Sequence, residues 1–348
     1  MGRLVRFTSP RVAEVVEFEE AAPRAGQVQI ETLYSGISAG TELTAYRGSN
    51  PHLSSRWDPA QRLFISGSPT YSYPLDAGGY EEVGRVTAIG ADVEETLVGR
   101  LVWGTWGHRS SVERPAEWVR PRLLPVGSDP VAGIFAKIGA IALNAVLDAD
   151  IHVGETIAVF GAGVPGQIVA QLARLNGARV VVVDLLARRR ELATRLGAVM
   201  AVDPATEDVA ERVRAITADR GADVVIEMSG SHHALHEAVR TAAYSSRVVA
   251  GGFFQGQAAP MRLGEEFHHN RISIVGSQIS GVAPALQHRW DEIRMSGTVL
   301  ELEREGGLRL TDLITHTVPA DEAPAAFEML DRSPDEALQV VLDYGTDK

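Results

Sequence analysis

The hydrophobic and polar positions follow two different rhythms along the chain. Up to about residue 125 they alternate over short stretches, as in QVQIETLYSGIS (27–38) and EEVGRVTAIG (81–90), broken by Gly and Pro. Period-two runs between turn residues predict short strands, so this part reads as a β-rich unit. Residues 58–80, dense in Pro, Gly and Tyr, read as a long surface loop. From about residue 135 the rhythm changes. FAKIGAIALNAVLDADI (135–151) has helical apolar spacing, and strand-like and helix-like segments alternate after it. The predicted strands are TIAVFG (156–161), ARVVVVD (178–184), VMAVD (199–203), ADVVIEMSG (222–230), SRVVAGGF (246–253) and RISIVGSQ (271–278). Helices are predicted between them, over Pro165–Asn176, Arg188–Leu196, VAERVRAIT (209–217) and ALHEAVRTA (234–242). Near-continuous Val/Ile strands alternating with amphipathic helices predict a parallel sheet covered on both faces, hence an α/β fold. From about 283 the pattern returns to short mixed elements, ending in a helix at DEAPAAFEMLD (321–331) and a strand at ALQVVLDY (337–344).

Composition narrows the function classes. At 348 residues the chain calls for two domains rather than one core. A formal net charge of −12 without a Lys/Arg stripe argues against a nucleic-acid partner, which needs concentrated positive charge. The chain has no cysteine. Disulfides, thiolate nucleophiles and Cys-based zinc or iron–sulfur sites are therefore excluded. No apolar run reads as a membrane span. The segment MGRLVRFTSP reads as a first strand rather than an export signal, so a cytoplasmic location is expected.

The strongest motif is Gly161-Ala-Gly163-Val164-Pro165-Gly166, between the strand TIAVF and a helix. A following strand ends in Asp184, at the spacing of about twenty residues that a dinucleotide fingerprint requires. Gly161 would form the tight turn, Gly163 would admit the pyrophosphate, and Gly166 would let helix and strand approach. Val164 and Pro165 open the helix, whose N-terminal N–H groups suit phosphate. Asp184 is expected to bind the adenosine ribose and repel a 2′-phosphate, favouring NAD over NADP. Arg188, Arg189 and Arg190 stand where a 2′-phosphate could be held, which leaves NADP open. Ser229, Gly230, Ser231 and Gly252 end later strands and are expected around the nicotinamide.

These features, with Gly36-Ile-Ser38-Ala-Gly40-Thr41-Glu42, Gly79-Tyr80-Glu81-Glu-Val-Gly84 and the tail ITHTVPADEAPAAFEML, resemble the medium-chain dehydrogenase/reductase family over essentially the whole chain. The resemblance implies a GroES-like catalytic domain over 1–137, with 283–348 returning to it, and a doubly wound Rossmann domain over 138–282. It also implies that the metal positions are altered. Zinc members carry a Cys where Ser38 stands and a His where Tyr80 stands; their third ligand aligns with Lys137. A hydroxyl, a phenol and an ammonium do not make a zinc site, so no metal is expected. Several phrases look most like a zinc-free subgroup that includes the bacteriochlorophyllide a 3-hydroxyethyl dehydrogenase.

Without a metal, other groups must handle the reacting oxygen. Lys137 could stabilise an alkoxide or form an ion pair with Glu81. Tyr80 could donate its phenol, with Lys137 lowering its pKa, or simply pack. Ser38 and Thr41 could relay a proton or only shape a turn. His108 could reach the cleft or lie at the surface. His232 and His233 fit a helix start, and the EExHH run at 265–269, read as a strand, chelates poorly. Trp103, Trp106, Tyr71 and Tyr73 suit either a substrate wall or a core. Three functions follow. The first is an NAD-dependent secondary-alcohol dehydrogenase, acting on a sugar, cyclitol or secondary metabolite. The second is an NADPH-dependent quinone or enoyl reductase, and the third a non-catalytic redox sensor. A homodimer is expected by extension of the sheet through its last two strands.

Overall fold

The computed structural model of the chain describes residues 1–76 and 78–345. They divide into two compact units, residues 1–137 with the segment from Thr311 onward, and residues 138–310. In chain order the first stretch forms β1 (Gly2–Ser9), β2 (Val12–Phe18), β3 (Gln27–Ile37), α1 (Glu42–Arg47), β4 (Ser55–Asp58), β5 (Leu63–Ser66), β6 (Leu75–Asp76), β7 (Glu82–Ile89), β8 (Leu101–Gly104), β9 (Ser111–Pro115) and α2 (Ala116–Val119). Next come α3 (Phe135–Ala149), β10 (Thr156–Phe160), α4 (Val164–Leu175), β11 (Arg179–Val183), α5 (Ala187–Arg195), β12 (Met200–Val202), α6 (Val209–Ile216), β13 (Ala222–Glu227), α7 (His232–Thr241), β14 (Ala242–Ala250), β15 (Ser273–Gly276) and α8 (Glu292–Arg304). The chain closes with β16 (Ile314–Pro319), α9 (Ala323–Arg332) and β17 (Gln339–Asp343).

In the first unit the main sheet runs β16-β17-β3-β7-β8, and β9 pairs with the first half of β3. The second half of β3, Tyr34–Ile37, pairs antiparallel with β17, so the C-terminal strand seals the sheet beside the residues that follow Ile37. One core gathers Val28, Ile30, Val86, Val102 and Trp106. Another stacks Phe7, Tyr46 and Phe327 with α9. The 58–80 stretch is more ordered than its composition predicts. β4 and β5 make a hairpin that sets Trp57 opposite Phe64, and β6 pairs with β1. Its turn is closed by Asp58, whose carboxylate accepts the Ala60 and Gln61 N–H groups at 2.9 and 3.0 Å. Strands this short leave too little alternation to separate them from a loop.

The second unit holds one parallel six-stranded sheet, ordered β12-β11-β10-β13-β14-β15. Counted from its own first strand this is 3-2-1-4-5-6, the doubly wound dinucleotide-binding order. Its central strands β10, β11 and β13 are buried on both faces, as the Val/Ile runs predict. Two expectations need correction. The segment 283–310 stays with this unit instead of returning to the first. Met295, Val299 and Leu300 of α8 are buried, and α8 lies so close to α3 that a Cβ on Gly139 would sit 2.4 Å from Val299 Cγ1. The helical stretch Pro130–Ala149 does reach membrane-span length at 20 residues. With 72% of its apolar window buried, it packs as a core helix.

Candidate functional site

Two sites emerge, one in each unit. In the first unit, β3 ends at Ile37 and the chain turns at once into α1. Glu42, the first residue of α1, fixes that turn. Its N–H donates to the Ser38 carbonyl at 3.0 Å, and the Ser38 N–H donates back to Glu42 Oε1 at 2.9 Å. Glu42 Oε2 meets His108 Nε2 at 2.5 Å, and His108 Nδ1 is hydrogen-bonded to Ser35 Oγ on β3. On the other side of the turn, Ser38 Oγ shares a hydrogen bond with the Tyr80 hydroxyl, which also donates to Thr41 Oγ1 at 3.5 Å. Ser38 and Thr41 on this turn and Tyr80 from the segment before β7 are thus brought together as three hydroxyls. His108 is fully buried rather than at the surface, and reaches the turn through Glu42. Lys137 is half-buried in the first turn of α3.

Glu81 and Glu82 are buried beside this network. Glu82 Oε2 accepts the Trp106 N–H at 2.7 Å, while Glu82 Oε1 and Glu81 Oε2 have no hydrogen-bond partner among the described residues. Burial, together with the charges of Glu42 and Glu82, holds the Glu81 carboxyl well above the usual range. Burial lifts Glu82 to about 7 even though the His108 charge pulls it down. For His108, burial opposes the charge, but the Glu42 carboxylate outweighs it and raises the pKa. The Tyr80 phenol is pushed up, by burial first and by Glu81 second. The expectation of a lowered Tyr80 pKa is therefore corrected: its nearest charges are carboxylates, which favour the protonated phenol.

Sequence reasoning missed Glu42 and Glu82. For Glu82 a signal was present, since adjacent residues on a strand face opposite ways and one of Glu81 and Glu82 had to turn inward. Trp103 and Trp106 are core residues; the Trp106 indole N–H donates to Thr32 Oγ1 at 2.9 Å.

The second unit carries the glycine turn between β10 and α4. Gly161 has φ +87°, and a Cβ there would lie 2.8 Å from the Ser229 backbone N. At Gly166 a Cβ would lie 1.8 Å from the Gly161 carbonyl oxygen, so helix and turn touch there. Gly163 differs, because a Cβ would meet nothing nearer than Pro165 Cδ at 3.9 Å. This open position precedes Val164 and Pro165, the first residues of α4. Asp184 follows β11, and its two oxygens accept the Ala162 N–H at 2.7 Å and the Leu186 N–H at 2.8 Å. It therefore shapes the glycine turn as well as facing it, and a carboxylate engaged twice still has lone pairs for a ribose hydroxyl. Arg190 is committed elsewhere, to the Asp184 carbonyl at 2.7 Å and the Asp203 carboxylate at 2.9 Å. The Arg189 carbonyl accepts from Gln167 Nε2 at 2.8 Å.

At the ends of β13 and β14, buried Glu227 gathers the Ser229 N–H at 2.8 Å, the Ser229 hydroxyl and the Gly230 N–H at 3.1 Å. The Gly252 N–H donates to its carbonyl at 3.0 Å. Burial raises the Glu227 pKa against these donors. Ser231 caps α7, accepting the Ala234 N–H at 3.4 Å. The run 265–269 is helical rather than a strand, and His268 and His269 are exposed. Among the described residues no group of three His, Asp or Glu side chains is arranged to hold a metal.

Comparison with known proteins decides the family. The Zinc-binding dehydrogenase model matches residues 165–295. The D-guloside 3-dehydrogenase of Escherichia coli K12 is 30% identical over 352 residues, covering 99% of this chain and all of the relative. The chain belongs to the medium-chain, zinc-type alcohol dehydrogenase-like family. Two solved structures of the same fold carry cofactor. An alcohol dehydrogenase from E. coli CFT073, complexed with NADH, has TM-score 0.77 at 21% identity, covering 99% of both chains. A zinc-binding dehydrogenase from Sinorhizobium meliloti 1021, bound to NADP, has TM-score 0.78 at 22% identity, again covering 99% of both. The relatives it matches include a D-guloside 3-dehydrogenase and L-threonine 3-dehydrogenases, which supports an enzyme that interconverts alcohols and ketones.

The zinc that the family name implies does not suit these residues. The Tyr80 phenol and Ser38 hydroxyl, which the family resemblance sets at ligand positions, are hydrogen-bonded to each other, and zinc needs thiolate, imidazole or carboxylate donors. The nicotinamide dinucleotide does suit them: the open face at Gly163, the start of α4 and the Asp184 carboxylate match what its pyrophosphate and ribose require.

Proposed function

We propose that this protein is a zinc-independent, NAD-dependent dehydrogenase that interconverts a secondary alcohol and a ketone on a sugar-like small molecule. The carrying observation is the Ser38–Tyr80–Thr41 hydroxyl cluster; the resemblance to the family suggests that it stands where zinc members carry their metal chemistry. Bound NAD supplies the hydride acceptor, and NADH the donor in reverse. Tyr80 handles the oxygen. Its phenol, kept protonated by burial and Glu81, donates to the substrate oxygen and delivers its proton to the alkoxide formed when the ketone is reduced. The hydroxyls of Ser38 and Thr41 return a proton to Tyr80, and in alcohol oxidation each transfer runs backward. Lys137 is a second candidate donor to the developing alkoxide.

The preference for NAD rests on the Asp184 charge and on Arg190 being held by Asp203. The sugar-like substrate rests on likeness to the D-guloside dehydrogenase. The edge strand β15 would pair with its symmetry mate in a homodimer. The test is a titration of metal-analysed protein with NADH and NADPH, followed by tryptophan fluorescence. Tighter NADH binding with no stoichiometric zinc is expected; a wide preference for NADPH, or one zinc per chain, would overturn the proposal.

A further inference from the structure

We infer that Glu42 and His108 form a buried positioning pair that holds the Ser38–Tyr80 hydroxyls in register; the inference rests on the dehydrogenase reading above. The two carboxylate oxygens of Glu42 are committed to different parts of the fold. Oε1 takes the Ser38 N–H at 2.9 Å and Oε2 meets His108 Nε2 at 2.5 Å. Ser38 is thereby fixed at both ends, its amide by Glu42 and its hydroxyl by Tyr80.

His108 cannot drift and take Glu42 with it. Its ring is fully buried, its Nδ1 is bonded to Ser35 Oγ, and its edge packs on Phe327 with centroids 5.8 Å apart. Gly79 touches it on another side, where a Cβ would sit 2.7 Å from His108 Cε1. The two residues flanking the hydroxyl turn, Ser35 on β3 and Gly79 before Tyr80, are therefore both referenced to one imidazole. Removing that reference frees the Glu42 carboxylate to leave the Ser38 N–H, and the hydroxyls are then aligned by the Ser38–Tyr80 bond and the weaker Tyr80–Thr41 contact at 3.5 Å.

Neither residue touches the reacting atoms in this scheme. Glu42 acts on Ser38 through the backbone, and His108 acts on Glu42. Their effect must therefore pass through Tyr80, which makes it measurable as coupling.

The experiment is a double-mutant cycle in kcat, with the full-length protein, NAD and methyl D-gulopyranoside. Glu42→Gln keeps one acceptor and loses the other; it should lower kcat by about 30- to 100-fold, the range for a small displacement of a catalytic group. NADH affinity, read by fluorescence, should not change, because the glycine turn is in the other unit. In the Tyr80→Phe background the same substitution should cost roughly twofold or less. A merely structural role would repeat its full loss in both backgrounds, and that result overturns the inference, as does an unchanged kcat in Glu42→Gln. Should Glu42→Gln fail to fold, His108 answers the question. His108→Gln, which can still donate to Glu42, should retain most of kcat, whereas His108→Leu should show the coupled loss; equal losses in the two variants overturn the pair. If Tyr80→Phe alone keeps full kcat, or the wild type gives no turnover, the dehydrogenase reading fails first and this inference with it.

Discussion

Each unit buries glutamate, and Glu227 in one is held in the opposite way to Glu81 and Glu82 in the other. In the dinucleotide-binding unit Glu227 is fully enclosed, yet its carboxylate gathers two backbone N–H groups and a hydroxyl. In the β-rich unit Glu81 and Glu82 are equally enclosed, and each leaves an oxygen without a partner among the described residues. A satisfied buried carboxylate acts as scaffold: here its donors fix the turn that follows β13. An unsatisfied one is a cost the fold retains, and such costs gather where chemistry is done. The contrast supports the proposed reading of the hydroxyl turn as the reactive region, with the Glu227 turn as structural support.

The largest effect is expected on the satisfied side. Glu227→Leu orphans the Ser229 and Gly230 N–H groups and should destabilise the protein by roughly 3–4 kcal/mol in urea unfolding. Glu227→Gln, which keeps an acceptor, should cost far less. If both cost the same, the three donors are not what holds that turn.

On the unsatisfied side the sign reverses and depends on pH. Glu82 rises from 4.5 to about 7 on folding, so the folded state holds its proton more tightly. Its contribution is fully present below pH 4.5 and is lost as pH rises through 7. Glu82→Gln should therefore gain stability relative to wild type across that window, reaching about 3 kcal/mol above pH 7. Parallel stability curves for the two proteins from pH 5 to 8 would contradict the burial argument.

The smallest effect on stability belongs to Gly163. An added methyl meets open space there, so Gly163→Ala should shift Tm by roughly 1 °C or less while weakening NADH binding at least about tenfold. Gly166→Ala, with a carbonyl 1.8 Å from the new carbon, should instead lose both fold and binding. Equal behaviour of the two would mean that the pyrophosphate does not approach at Gly163.

Legibility in the sequence followed the range of the forces involved. The parallel sheet, the glycine turn and its spacing to Asp184 are local patterns, and the structure reproduces them with helix ends shifted by about a residue. The hydroxyl triad could be named because two of its members sit in one motif and the third in another. What could not be read is pairing over distance. Glu42 and His108 are 66 residues apart, and nothing local says that their side chains meet. The direction of the Tyr80 shift was missed for the same reason, since it depends on which charges the fold brings near. The boundary at 283 failed because α8 has an ordinary amphipathic pattern that does not declare which unit buries it.

The most direct test of the account is turnover of methyl D-gulopyranoside with NAD by metal-stripped protein, beside the Tyr80→Phe variant. The account predicts that stripping leaves kcat unchanged and that Tyr80→Phe lowers it by at least about 100-fold, the scale of a lost proton donor. Activity that disappears with the metal and returns with zinc, or a Tyr80→Phe variant as fast as wild type, would contradict it.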